Sequence, residues 1–304
     1  MTTAGRYGVV CAAIAGLVAA SCRGSNDVGS AAATSPPPVQ QSASTQPSPS
    51  VTPSTPAARL DAAAEYDKGS ALAAAGKLAE ARAVFDGAHA QDPGEEAVAA
   101  AVEIFQDMDA GHVSADAVQR MFRAFEQGNA GQWQSAHEDA DEVLRLAPRY
   151  ARAHATKGGL YVLQGPAQYP NAIKSFDQAL KVAPQFAEAY YSRGAVRAEM
   201  QQFDAAIADY NRAIELQPST WYAYRNRGSA HANKNELDAA IADYSKAYEL
   251  RPTDADSLLL RATVYGAARQ PDAARADLEK VIALSESSPQ AEQARQMIAA
   301  LQQR

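Results

Sequence analysis

The sequence predicts an all-α chain in which short antiparallel helices stack pairwise into an α-solenoid. Three observations predict it. Residues 203–218 (FDAAIADYNRAIELQP) and 237–252 (LDAAIADYSKAYELRP) agree at eleven of sixteen positions across an offset of 34. Prolines 184, 218 and 252 recur at that interval, and Pro148 lies 36 residues before Pro184. Much of the 47% apolar fraction is alanine, which favours helix and close helix packing over thick aromatic cores. The chain of 304 residues carries 28 Lys and Arg against 35 Asp and Glu, a net charge of −7. That balance lacks the basic footprint of a nucleic-acid binder, whose affinity comes from neutralising phosphates. Two cysteines build neither a disulfide framework nor a four-thiolate zinc site.

From the N-terminus, residues 1–21 predict an export signal. Arg6 precedes a 14-residue run of weakly polar and apolar residues, Tyr7 to Ala20. That is too short to span a bilayer, which takes about 18 residues or more, and it suits a signal core of roughly 7–15. The stretch ends Val18-Ala19-Ala20-Ser21-Cys22, which resembles the lipobox of bacterial lipoprotein precursors. The resemblance implies that the peptide is cut before Cys22 and that the thiol is acylated. Cleavage after Ala20 by the ordinary signal protease is the rival. With Cys11 inside the removed segment, Cys22 is otherwise a lone thiol in an exported protein, and acylation gives it a purpose. Residues 22–58 follow as a tether. No charged residue lies between Asp27 and Arg59, and seven of the sixteen prolines fall there among Ser, Thr, Gln and Ala. Such a composition predicts disorder, because it cannot bury enough apolar surface to offset its ordering entropy.

The remainder, 59–304, repeats. The unit 187–220 places Tyr190 and Gly194 in its first helix, Ala206, Tyr210 and Ala213 in its second, and Pro218 at its end. The unit 221–254 repeats this with Tyr224, Gly228, Ala240, Tyr244, Ala247 and Pro252. The unit 151–186 gives His154, Gly158, Ala172, Phe176, Ala179 and Pro184, its two extra residues falling in the turn Gly165–Pro170. The unit 62–95 supplies Gly69, Ala81, Phe85, Ala88 and Pro93. Two units are degenerate: 117–150 has Ala140 where the aromatic belongs, and 255–288 has Leu278 there and no closing proline. This 34-residue pattern resembles the tetratricopeptide repeat (TPR) family. Gly or Ala lets the helices approach, the aromatic fills the space that remains, and proline ends the second helix. Ser219, Thr220, Thr253 and Asp254 are the expected N-caps. Residues 96–116 interrupt the period and predict one further helix, Ala97–Met108, before a turn at Asp109-Ala110-Gly111. Residues 289–303 put Ala291, Ala294, Met297, Ile298 and Leu301 on one face, as a capping helix should. Fourteen helices are expected in all.

The family's leucine before the glycine is replaced by Lys68, Arg123, Lys157, Arg193, Arg227 and Arg261. Two readings are open: a basic stripe for an acidic ligand, or aliphatic stems that pack while their charged heads reach water. The resemblance also implies a concave groove for partner peptides. Its positions carry over to Arg152, Ala155, Thr156 and Gly159, to Tyr191 and Ala195, and to Tyr222, Arg225, Asn226, Ser229 and Asn233. Asn can bond both peptide groups and Arg can fork onto a carboxylate. Part of this set is equally suited to the core between repeats.

No pattern points to catalysis, a metal or a cofactor. QDMDAGHVSADA (106–117) has the Asp-x-Asp spacing of a calcium loop out of register with its glycine. His137 sits in the acidic run HEDADE, whose ordinary place is an exposed helix face. The expectation is an exported, lipid-anchored adaptor whose partners are proteins or peptides, with neither nucleic acid nor enzyme activity. A self-associating structural protein and a secreted, non-lipidated TPR protein are the alternatives. If the source is Gram-negative, the anchor is placed in the outer membrane, because Arg23 follows Cys22 where inner-membrane retention favours Asp.

Overall fold

The computed structural model describes residues 62–302 other than residue 94. Residues 1–61, with the signal, Cys22 and the tether, lie outside the described residues. Within them the chain forms fourteen α-helices and one short 3-10 turn, with no strand among the described residues. In order these are α1 (Ala62–Ala74), α2 (Leu78–Gln91), α3 (Glu96–Asp109), α4 (Ala115–Asn129), α5 (Trp133–Leu146), α6 (Ala151–Leu163) and α7 (Tyr169–Val182). There follow α8 (Ala187–Glu199), α9 (Phe203–Leu216), α10 (Trp221–Asn233), α11 (Leu237–Leu250), α12 (Ala255–Ala267), α13 (Pro271–Leu284) and α14 (Pro289–Gln302). The 3-10 turn, Pro166–Gln168, absorbs the two extra residues between α6 and α7.

Four of the six helix pairs close on a glycine and a ring. A methyl group on Gly158 would sit 2.7 Å from the Phe176 ring, and Phe176 is fully buried. Gly69 stands in the same relation to Phe85, and Gly194 to Tyr210. Where the ring is missing, another side chain fills the gap. Ala140 leaves space that Leu160, from the next first helix, occupies in a cluster with Ala124 and Ala136. Leu278 does the same for the last pair and is fully buried. Most second helices take an acidic residue in the first turn, where the helix dipole favours negative charge.

The caps depart from expectation. Asp254 caps α12 through the Ser257 N–H at 3.1 Å, and Ser114 caps α4 through Ala117. Thr220 holds the position before α10 without accepting a bond, and Ser219 and Thr253 lie one residue too early. The reversal inside each pair needs one left-handed residue. Gly76 and Gly131 supply it in the early units, and Gln201, Asn235 and Arg269 adopt φ near +60° in the later ones.

Helix α3 is a structural member of the N-terminal core. Its Phe105 ring lies 6.0 Å from Phe85 and 6.1 Å from Phe122, within one cluster that runs from Tyr66 to Ala153. The extra helix packs on α2, and α1 contacts α4 directly. At the other end Ala291 and Ala294 of α14 are buried, with Met297, Ile298 and Leu301 packed beside them, and so close the last pair.

Candidate peptide-binding channel

Apart from Lys68, the basic residues at this repeat position are neither a free stripe nor heads in water. Arg123, Arg193, Arg227 and Arg261 each fork onto an aspartate sixteen residues later: Asp139, Asp209, Asp243 and Asp277. The bonds are 2.5–3.0 Å long. The four aspartates are 3–6% exposed. The third nitrogen of three of these arginines reaches back sixteen residues into the preceding unit, Arg193 to Asp177, Arg227 to Asn211 and Arg261 to Ser245. Lys157 pairs backwards with Asp141 in the same way. Lys68, more exposed, pairs only with Glu65. Arg193, Arg227 and Arg261 also lie over the rings of Tyr190, Tyr224 and Tyr265, which accounts for the early aromatic of those three units. Burial alone would raise the Asp139 carboxyl, but the bonds and charges of Arg123 and Arg120 hold it below the usual range.

Most of the groove positions are occupied from within. Tyr191 is 1% exposed, and its hydroxyl accepts from Asn226 at 2.7 Å. Ser229 donates to the Arg225 carbonyl at 3.2 Å and shares a bond with the Tyr244 hydroxyl. Arg225 reaches Asp254 at 3.2 Å and lies over the Trp221 ring. Thr156 is buried and donates to the Arg152 carbonyl, and Ala155, Gly159 and Ala195 are buried too. Asn233 is exposed and bonds the Ser229 carbonyl. The structure thus gathers Tyr191, Tyr222, Arg225, Asn226 and Ser229 into the packing between units, with Asn233 bonded at their edge. Of the whole set, Arg152 and Tyr222 line a shared space between the units.

That space is a cavity of about 1120 Å³. One wall is α3, through Glu96, Ala99, Ala100 and Glu103. The opposite wall is made by the turns and first residues of later units: Phe186 and Glu188, Thr220 to Tyr222, and Leu250 to Thr253. Arg152 spans the two, donating to Glu103 and to Glu188 at 2.7 Å each. Arg251 approaches Glu95 at 3.8 Å and stacks on Trp221, which is thereby held between two guanidinium groups. Glu96 Oε1 and the Trp221 indole nitrogen are both shut off from water, and a side-chain hydrogen bond from that indole partly offsets the burial of the carboxyl. Burial pushes the Glu96 carboxyl up to about 8, against the pull of Arg251 and Arg225. The sequence carried no signal for Glu96 or Glu103, because α3 lies outside the period. Trp221 and Glu188, at the start of their units, sit beside groove positions that were read.

Family models agree with this architecture. Residues 168–201 match a model described as TPR repeat, and residues 196–255 match one described as Tetratricopeptide repeat. The chain is a tetratricopeptide-repeat protein. Among solved structures, a crystal structure of MamA is 24% identical, with a TM-score of 0.50, over 54% of this chain and 94% of that one. MamA from Desulfovibrio magneticus RS-1 is 20% identical, with a TM-score of 0.52, over 58% of this chain and 99% of that one. These are likenesses of fold. No curated protein sequence matches the chain.

The acidic motifs of this TPR protein are engaged by its own side chains. Asp107 accepts from the Tyr150 hydroxyl at 2.8 Å and lies 3.3 Å from His112, and Asp109 accepts from Arg82. In HEDADE, Asp139 belongs to the arginine fork, Asp141 to Lys157 and Glu142 to Arg145, while His137 meets Gln164. Among the described residues no three His, Cys, Asp or Glu converge as metal ligands, and no helix is long and apolar enough to cross a membrane.

Proposed function

We propose that the protein is an adaptor that holds extended segments of other proteins in this channel and is tethered to a bacterial membrane by acyl chains on Cys22. One observation carries the binding half. The TPR solenoid leaves a cavity of about 1120 Å³ whose walls combine rings, carboxylates and guanidinium groups, the mixture that suits a peptide backbone with side chains. The tether rests on Val18-Ala19-Ala20-Ser21-Cys22 in the sequence. In a Gram-negative source the anchor sits in the outer membrane, since Arg23 follows the cysteine.

The test is photo-crosslinking in living cells from a benzoylphenylalanine placed at Ala99, on the channel wall, and in parallel at Glu215, exposed on α9. Adducts with other proteins from position 99 and none from 215 are expected. Adducts only with a second copy of the chain would favour self-association. No adduct from 99 would refute the channel as the binding site.

A further inference from the structure

We infer that α3 and the Trp221–Arg251 pair form a clasp that holds the solenoid curled, and that an extended partner segment enters the channel when this clasp opens. The inference rests on the adaptor reading and adds its control. In a repeat stack each unit packs on its neighbours, so the curvature is the sum of small steps between units. The buried residues are divided in that way, into one cluster from Tyr66 to Ala153 and separate clusters in the later units. Such a stack does not require ties across its hollow side, yet three are made. Arg152 joins Glu103 of α3 to Glu188 of α8, at 2.7 Å each. The Trp221 indole bonds the Glu96 carboxyl. Arg251, stacked on that ring, approaches Glu95 at 3.8 Å.

The sequence sets these residues apart from the repeat. Trp221 opens α10, whereas Ala151, Ala187 and Ala255 open α6, α8 and α12. Arg251 stands where the preceding unit has Gln217. The other pairs close without an indole or a guanidinium at those places, and here both meet the one helix outside the period. That helix has two faces: Val98, Val102 and Phe105 are buried in the N-terminal core, and Glu96, Ala99 and Glu103 line the channel. Because its inner face is anchored, α3 does not swing out alone; opening draws the later units away from it. Arg152 then gives up Glu103 but keeps Glu188, which moves with it, so no charge is stranded.

Spin labels on p-acetylphenylalanine at Gln106 of α3 and Ala242 of α11, both exposed, report the span of the curl in the full chain by double electron–electron resonance and leave Cys11 and Cys22 unlabelled. Two variants release the clasp. Trp221→Ala with Arg251→Gln installs the residues of the preceding unit, Ala187 and Gln217. Glu95→Lys with Glu103→Lys sets like charges against Arg251 and Arg152 and leaves the buried face of α3 intact. In both, the distance should lengthen by about 5 Å, on the order of one helical turn, and broaden, with helical dichroism retained. Adducts from benzoylphenylalanine at Ala99 should rise about threefold or more, because a larger fraction of the chain admits the segment. An unchanged distance in Glu95→Lys with Glu103→Lys overturns the inference, whatever Trp221→Ala with Arg251→Gln does. So do lengthened distances with adducts no more abundant in either variant. If position 99 captures nothing in the parent or the variants, the adaptor reading falls, and the distances alone decide the clasp.

Discussion

Removing Asp209 probes the arginine–aspartate forks that join the helices. Its carboxylate accepts two bonds from Arg193, at 3.0 and 2.6 Å, and one from Arg197 at 2.7 Å. The side chain is 4% exposed, against 15% for Arg193. Three charge-assisted bonds would sum to more than 4 kcal/mol if each were lost outright, at about 1.5–3 kcal/mol apiece. Arg193 keeps Asp177, however, and Arg197 can turn to water. The expected cost of Asp209→Asn is therefore about 3 kcal/mol, the low end for breaking a buried pair. At about 2–4 °C per kcal/mol for a chain of this size, that lowers Tm by roughly 6–12 °C. Replacing both partners, Arg193→Leu with Asp209→Leu, removes the charges together and should lie within about 1 kcal/mol of the parent. Urea denaturation followed by dichroism measures the loss. Because a solenoid can lose units separately, amide exchange in α8 and α9 should be read alongside it. A cost below about 0.5 kcal/mol for Asp209→Asn, or a double variant as damaged as the single one, would refute the forks as the join.

Three further outcomes follow from the same coordinates. Gly158→Ala gains about 1 kcal/mol of helix propensity but drives a methyl group to 2.7 Å from the buried Phe176 ring. Overpacking of about 1–3 kcal/mol should win, and a raised Tm would contradict it. Because Glu96 is pushed up to about 8 when folded, from an ordinary value of 4.5, the folded state holds a proton the unfolded chain has lost. Stability should fall as pH rises from about 4.5 to 8 and then level off. Glu96→Gln should match the parent at pH 4 and exceed it at pH 8 by on the order of 2–5 kcal/mol, and equal Tm values at pH 8 would remove that penalty. Cys22→Ala should move the protein from membrane to soluble fractions, and unchanged membrane retention would refute the lipid anchor.

The fold was legible because its code is periodic. A glycine, a ring sixteen or eighteen residues later and a proline recur at fixed spacing, and each has a steric reason that needs no knowledge of distant contacts. The forks were legible in principle: Asp139, Asp209, Asp243 and Asp277 stand sixteen residues after Arg123, Arg193, Arg227 and Arg261, yet the arginines were read without those partners. The groove residues show the limit of position-by-position transfer. Tyr191, Asn226 and Ser229 occupy groove positions, but their hydroxyls and amide are satisfied by one another and by Tyr244 across the seam between units. The channel itself was hidden. It forms where α3, outside the period, faces turns that lie far along the chain, a juxtaposition set by the curl of the whole stack.

Hydrogen–deuterium exchange on the full chain, with and without the partner segment captured from position 99, tests the central claim most directly. Slower exchange is expected at residues 185–188, 217–222 and 250–253 and in the first turns of α3, with the outer faces of α9 and α11 unchanged. Protection confined to those outer helices, with the channel turns exchanging as in the free chain, would contradict it.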